Sequence, residues 1–141
     1  IGLKSGLAAV WNSLTLSTPK AVALRLDVPA GSTVKADAAL FELVLRNVLD
    51  NALRYSEAGE IVCRLSGSLL VVVDCGSGFP EADLERVFDR FFIGPRGTNG
   101  LGLALVRHVC TASGWRVCAA NALVVAIPCY RVVRSDGGLL G

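Results

Sequence analysis

The chain is 141 residues long, enough for one domain with its own core and too short for two of ordinary size. Hydrophobic residues make up 52% and charged residues 18%, which excludes a disordered chain, and a net charge of +2 gives no electrostatic case for nucleic acid or an acidic membrane surface as partner. The five cysteines, Cys63, Cys75, Cys110, Cys118 and Cys129, are odd in number and never fall in a C-x-x-C spacing. Neither a disulfide framework nor a zinc site is indicated, and a reducing cytoplasm is expected. No apolar run reaches bilayer-spanning length, and the first residues lack the basic start and apolar stretch of a signal peptide. Because the chain opens at Ile1 without methionine, it is expected to be a piece of a longer protein.

Residues 3 to 13 are expected to form a short helix with Leu7, Val10 and Leu14 on one side. Ala21 to Val28 alternates apolar and polar like a half-buried strand, and Pro29-Ala30-Gly31-Ser32 ends it. From Asp37 to about Tyr55 no glycine or proline intervenes, and apolar residues recur at 41, 44, 45, 48, 49 and 52, which predicts a long helix with Asp37 as its N-cap. Ile61 to Leu65 and Leu69 to Val73, separated by Ser66-Gly67-Ser68, read as a hairpin. Glu81 to Phe91 suggests a short helix, residues 94 to 100 carry too many breakers for regular structure, and Leu101 to Ala112 resumes a helical pattern that ends near Gly114. Trp115 to Ala120 and Leu123 to Ile127 form a last strand pair, and residues 130–141 are expected to be a flexible tail after a domain of residues 1–129. This order predicts an α+β, two-layer sandwich: a mixed, mostly antiparallel sheet covered on one face by helices.

On the long helix Asn47, Asp50, Asn51 and Arg54 stand at i, i+3, i+4 and i+7 and share one face, opposite Phe41, Leu45, Leu49 and Ala52, with Leu43 interrupting the polar stripe. Taken alone the stripe reads as a solvated face. Against that, wet faces are usually filled with Lys and Glu, whereas two asparagines one turn apart cost helix stability. Asp74 follows five apolar strand residues and precedes Cys75-Gly76-Ser77-Gly78. Its plain reading is an ordinary turn. Its chemical reading is an acceptor-only carboxylate suited to the exocyclic amine of adenine, with Gly76 and Gly78 letting the backbone pass close to base and sugar. Gly100 and Gly102 flank Leu101 at the entrance of a helix whose free N–H groups attract phosphate oxygens, in a spacing that is neither a dinucleotide-fold nor a P-loop motif. Phe88 and Phe91, at i and i+3, taken alone are core residues.

In this order the segments Asn47-Val48-Leu49-Asp50-Asn51-Ala52, Asp74-Cys75-Gly76-Ser77-Gly78 and Gly97-Thr98-Asn99-Gly100-Leu101-Gly102-Leu103, with Phe88 and Phe91 between them, resemble the N, G1, G2 and F boxes of the ATP-binding catalytic domain of bacterial sensor histidine kinases, in the GHKL superfamily. The likeness runs over most of the chain. It implies the Bergerat ATP-binding fold, ATP and Mg2+ as cofactors, and histidine kinase activity. It also implies that Asn51 gives its amide oxygen to the magnesium ion, that Arg54 neutralises phosphate charge, and that Tyr55 lies against the adenine. Asp50, Asp74, Gly76, Gly78, Gly100, Leu101 and Gly102 would complete the nucleotide site, and Phe88 and Phe91 would anchor the lid over it. Two departures stand out: the lid between Phe92 and Gly100 is short, and Asn99 is inserted in what is often Gly-x-Gly-Leu-Gly-Leu.

In related ATPases of this fold a glutamate one turn before the metal asparagine activates water. Asn47 occupies that position and cannot take a proton, so slow hydrolysis is expected. The resemblance implies as partners a histidine-bearing dimerisation domain of the same polypeptide and a response-regulator receiver domain. It further implies a monomeric isolated domain, a homodimeric parent, and attachment of the parent to the bacterial inner membrane. A serine kinase of an anti-sigma system and a non-catalytic nucleotide-binding module are the alternatives. His108, the only histidine, is expected to pack on the stripe of Leu101, Ala104 and Leu105 rather than to accept phosphate.

Overall fold

The computed structural model describes residues 2–17, 19–34, 36–54, 56, 58–66, 69–74, 102–119, 123–126 and 132–133. Among the described residues three helices carry most of the core. Helix α1, Leu3–Ser17, runs four residues beyond the expected end and buries Leu3, Leu7, Val10 and Trp11. Helix α2, Ala38–Arg54, starts where Asp37 caps it: the Leu40 backbone N–H donates to Asp37 Oδ1 at 3.0 Å, and the Phe41 N–H to the Asp37 carbonyl at 2.9 Å. Its buried side chains, Phe41, Val44, Leu45, Val48, Leu49, Ala52 and Leu53, recur at three- and four-residue steps, the spacing that keeps one face turned to a core.

Helix α3, Gly102–Ala112, ends by closing on itself. Gly114 takes a φ of 76°, the Gly114 N–H donates to the Thr111 carbonyl at 3.2 Å, and the Trp115 N–H reaches back to the Cys110 carbonyl at 2.7 Å. This is a Schellman cap, and it needs a residue without a side chain at position 114. It also delivers Trp115 into the core, edge-on to Phe41 of α2 with ring centroids 5.5 Å apart.

The strands are β1 (Ala21–Asp27), β2 (Thr33–Val34), β3 (Ala58–Ser66), β4 (Leu69–Val73), β5 (Arg116–Ala119), β6 (Leu123–Ala126) and β7 (Val132–Val133). Five of them form one sheet in the order β1-β3-β4-β6-β5. The β1/β3 pair is parallel, with α2 as the crossover between them, and the remaining pairs are antiparallel. Period-two alternation sends Val22, Ile61, Cys63, Leu70 and Val72 inward under the helices, while Arg25, Glu60 and Arg64 face outward. Register keeps this inner face continuous, since Cys63 lies opposite Val72 and Leu65 opposite Leu70. The result is the α+β, two-layer arrangement that the sequence predicts, at about 1.5–3 kcal/mol of burial for each large inner side chain.

One expectation is corrected, and two short strands stand where none was expected. Two short strands were not foreseen: β2 pairs antiparallel with β7, so Val132–Val133 of the expected flexible tail is tied to Thr33–Val34, and Gly2 bridges Thr33 as well. His108 does not pack: α3 buries Leu103, Val106, Val109 and Cys110, and leaves Leu105 and His108 exposed. The expected stripe through Ala104, Leu105 and His108 is therefore turned away from the core. The helix expected over Glu81–Phe91 and the loop of residues 94–100 lie outside the described residues. Burial pushes the Cys63 thiol up to about 12 and the Cys110 thiol up to about 11, so both are protonated at neutral pH and serve as small apolar core residues.

Candidate functional site

The face of α2 that is not in the core is neither apolar nor fully wet. Asn47, Asp50, Asn51 and Arg54 are all half-buried, together with Leu43 and Arg46. The Asn47 Nδ2 donates to the Leu43 carbonyl one turn back, at 2.8 Å. A carbonyl oxygen only accepts, so the amide must present its NH2 there, which leaves Oδ1 as an unspent acceptor on the open side. Arg54 Nε donates to Asp50 Oδ2 at 2.8 Å, an i,i+4 pair that engages one edge of the guanidinium and leaves both terminal amines unused by it. At this exposure the pair contributes little to stability; its effect is to fix where the cation sits. Among the described residues no hydrogen bond engages the Asn51 amide. The stripe thus offers amide oxygens and a held cation side by side, the hard-oxygen and positive groups that a magnesium–phosphate ligand requires.

Helix α2, which carries this stripe, also packs on the elements that adjoin two of the other expected segments. Helix α2 contacts both β4 and α3. Asp74 is the residue immediately after β4 and is half-buried, so a carboxylate stands at the strand end where the chain leaves the sheet. Gly102 is the first residue of α3, whose leading N–H groups have no partner within the helix. Asp74 thus follows, and Gly102 opens, an element that packs on α2, the helix that carries Asn47, Asp50, Asn51 and Arg54. Tyr55, Gly76, Gly78, Phe88, Phe91, Gly100 and Leu101 lie outside the described residues.

The sequence reading missed Lys20. Its ammonium donates to the carbonyls of Leu53, Ser56 and Arg54 at 2.8, 3.0 and 3.4 Å, binding the C-terminal end of α2. The only sequence signal for it is indirect. No glycine or asparagine follows Arg54 to cap the helix, so its last carbonyls must be satisfied from elsewhere.

Residues 36–127 match the model of the histidine kinase-, DNA gyrase B- and HSP90-like ATPase family, and the chain belongs to that family. Within it the similar sequences are sensor kinases. The chain is 37% identical over 99 residues to the sensor-like histidine kinase SenX3 of Mycobacterium tuberculosis, covering 62% of this chain and 24% of that protein. It is 38% identical over 87 residues to the sensor protein QseC of Escherichia coli, covering 59% of this chain and 19% of that protein. The chain thus spans about a quarter or less of the length of these relatives. Among solved structures, the mycobacterial sensor histidine kinase MprB superposes with a TM-score of 0.78 at 24% identity, over 91% of this chain and 96% of that one. The Acinetobacter baumannii histidine kinase AdeS gives 0.67 at 26% identity, over 90% and 64%. The fold is that of histidine kinase ATPase domains, as the four boxes imply.

Proposed function

We propose that this chain is the ATP-binding catalytic domain of a sensor histidine kinase, which binds Mg-ATP and donates the γ-phosphate to a histidine on a dimerisation domain of the same polypeptide. The observation that carries this reading is the half-buried amide-and-cation stripe of α2, on a helix that packs against both β4, which Asp74 follows, and α3, which begins at Gly102. Asp74 accepts a hydrogen bond from the adenine amine and rejects the carbonyl that guanine has at that place. Asn51 supplies an amide oxygen to the metal, Arg54 meets phosphate charge while Asp50 holds its other edge, and the leading N–H groups of α3 face phosphate oxygens. When bound, magnesium neutralises charge on the phosphates. Asn47 cannot act as a base toward water, so the γ-phosphate is kept for a histidine nucleophile. The remaining members, Tyr55 against the base, Gly76 and Gly78 near base and sugar, and Phe88, Phe91, Gly100 and Leu101 around the lid, follow the family pattern. A response-regulator receiver domain is the onward partner, and the parent is a homodimer attached to the inner membrane.

The test is binding and transfer. The chain should bind ATP in magnesium, and Asn51→Ala should remove most of the magnesium dependence of that binding while ATP affinity in EDTA stays within about twofold, since it deletes the amide oxygen assigned to the metal. With a dimerisation domain supplied, acid-labile phosphate should appear on that partner and none on this chain. Acid-stable phosphate on a protein partner would instead indicate a serine kinase, and binding without any transfer a regulatory nucleotide module.

A further inference from the structure

Helices α2 and α3 end in different ways. Helix α3 satisfies its last carbonyls locally through Gly114 and Trp115. Helix α2 runs into Tyr55 and Ser56, and the next glycine is Gly59, already inside β3. The last four carbonyls of any helix lack intrahelical donors and carry the negative end of its dipole. The Ser56 N–H reaches the Leu53 carbonyl at 3.3 Å, and beyond that the end is closed by Lys20, from a point 33 residues earlier than Leu53 in the chain. An ammonium has three protons, and here three carbonyls, of Leu53, Arg54 and Ser56, lie within its reach.

Lys20 is itself anchored. The next residue, Ala21, opens β1 and pairs with Ala58 of β3, and Ser56, whose carbonyl Lys20 also holds, is fully buried two residues before Ala58. Holding a lysine in one place costs side-chain entropy of order 2 kcal/mol, so a clamp of this kind persists because three charge-assisted bonds outweigh it. What is clamped is the turn that carries Arg54, one turn after Asn51.

We infer that Lys20 is a positioning residue for the metal–phosphate half of the site: it pins the last turn of α2 to the sheet so that Asn51 and Arg54 present their polar atoms together. This rests on the reading of the α2 stripe as the Mg-ATP site. Lys20 acts on the site only through the carbonyls it holds. The adenine half depends on Asp74, which follows β4, whereas the carbonyls that Lys20 holds are those of Leu53, Arg54 and Ser56, so the two halves can be separated by measurement.

The experiment compares ATP affinity in magnesium with ATP affinity in EDTA, by calorimetry on the 141-residue chain, for wild type, Lys20→Met and Lys20→Arg, with thermal melting alongside. For Lys20→Met the gain in affinity that magnesium brings is expected to shrink about tenfold, a small fraction of what misplacing a reacting group by 1 Å can cost, while affinity in EDTA stays within about twofold. Lys20→Arg keeps a cation and its donors and is expected to recover part of that gain. Equal weakening in magnesium and in EDTA, or no weakening in either, overturns the inference while leaving the ATP reading intact. No binding of ATP by the wild type overturns both. Should Lys20→Met fail to fold, Lys20→Gln, which keeps one amide donor, decides the same ratio.

Discussion

At Asp74 the proposed function depends on one group of atoms. A carboxylate next to an adenine amine makes a charge-assisted bond whose loss costs about 1.5–3 kcal/mol, so Asp74→Ala is expected to weaken ATP binding by up to roughly a hundredfold. The side chain stands after the last residue of β4 rather than within the core, and the melting temperature of the variant is expected to stay within about 2 °C of wild type. Retained affinity would remove Asp74 from the site, and a collapsed melt would make it structural. Asn47 carries the companion test. Its NH2 is spent on the Leu43 carbonyl, a bond that a carboxylate cannot make, so a glutamate there would turn outward, where a base could meet water. Positioned general bases contribute about 10²–10⁴-fold. Asn47→Glu is expected to raise ATP hydrolysis by the chain at least tenfold on that scale, and an unchanged rate would count against a missing base as the cause of slow turnover.

The elements differ in how openly their sequences declare them. Gly114 is the sharpest case at this scale. A Cβ there would meet nothing within 4 Å, yet φ is 76°, so the cost of Gly114→Ala is purely the left-handed backbone, about 1 kcal/mol. Thermal unfolding should show a drop of roughly 3–6 °C, and no drop would mean the turn relaxes out of its Schellman geometry. Helix α2 was legible because its capping aspartate, unbroken length and three-four periodicity all agree. The strands β1, β3 and β4 were legible by alternation and the Ser66-Gly67-Ser68 break. Helix α3 misled on one point. Leucines sit on both of its sides, so a stripe through Leu105 and His108 competes on paper with the stripe through Leu103, Val106 and Val109 that packing chose. Strands β2 and β7, two residues each, are too short to show any period. In the candidate site, the shared face of Asn47, Asp50, Asn51 and Arg54 was readable because helical spacing fixes it. Lys20 was not, because its carbonyl partners are backbone atoms that no residue type marks.

At the scale of the whole molecule, the apolar core of the described residues includes two thiols. In the unfolded chain a cysteine ionises near 9, whereas burial holds Cys63 up to about 12 and Cys110 up to about 11. Between those values the folded state retains protons that the unfolded state has lost, so stability is fully present below pH 9 and declines as pH rises toward 11 and 12. Denaturant midpoints measured at pH 8 and at pH 10 should therefore fall with pH, and Cys63→Ala with Cys110→Ala should flatten that fall. A slope unchanged in the double variant would assign it to other groups.

The small β2/β7 pair has a further consequence, in the order of assembly. It joins Thr33 to Val133, a hundred residues apart, and Gly2 meets the same Thr33. Closing a loop of that length from a disordered chain costs about 4 kcal/mol in entropy, more than the backbone bonds of a two-residue ribbon return, since each nets about 1 kcal/mol. Such a ribbon cannot nucleate anything. It can close only after the larger sheet and its helices have already drawn positions 33 and 133 together, which makes it a latch that reports on the finished fold rather than a piece that builds it.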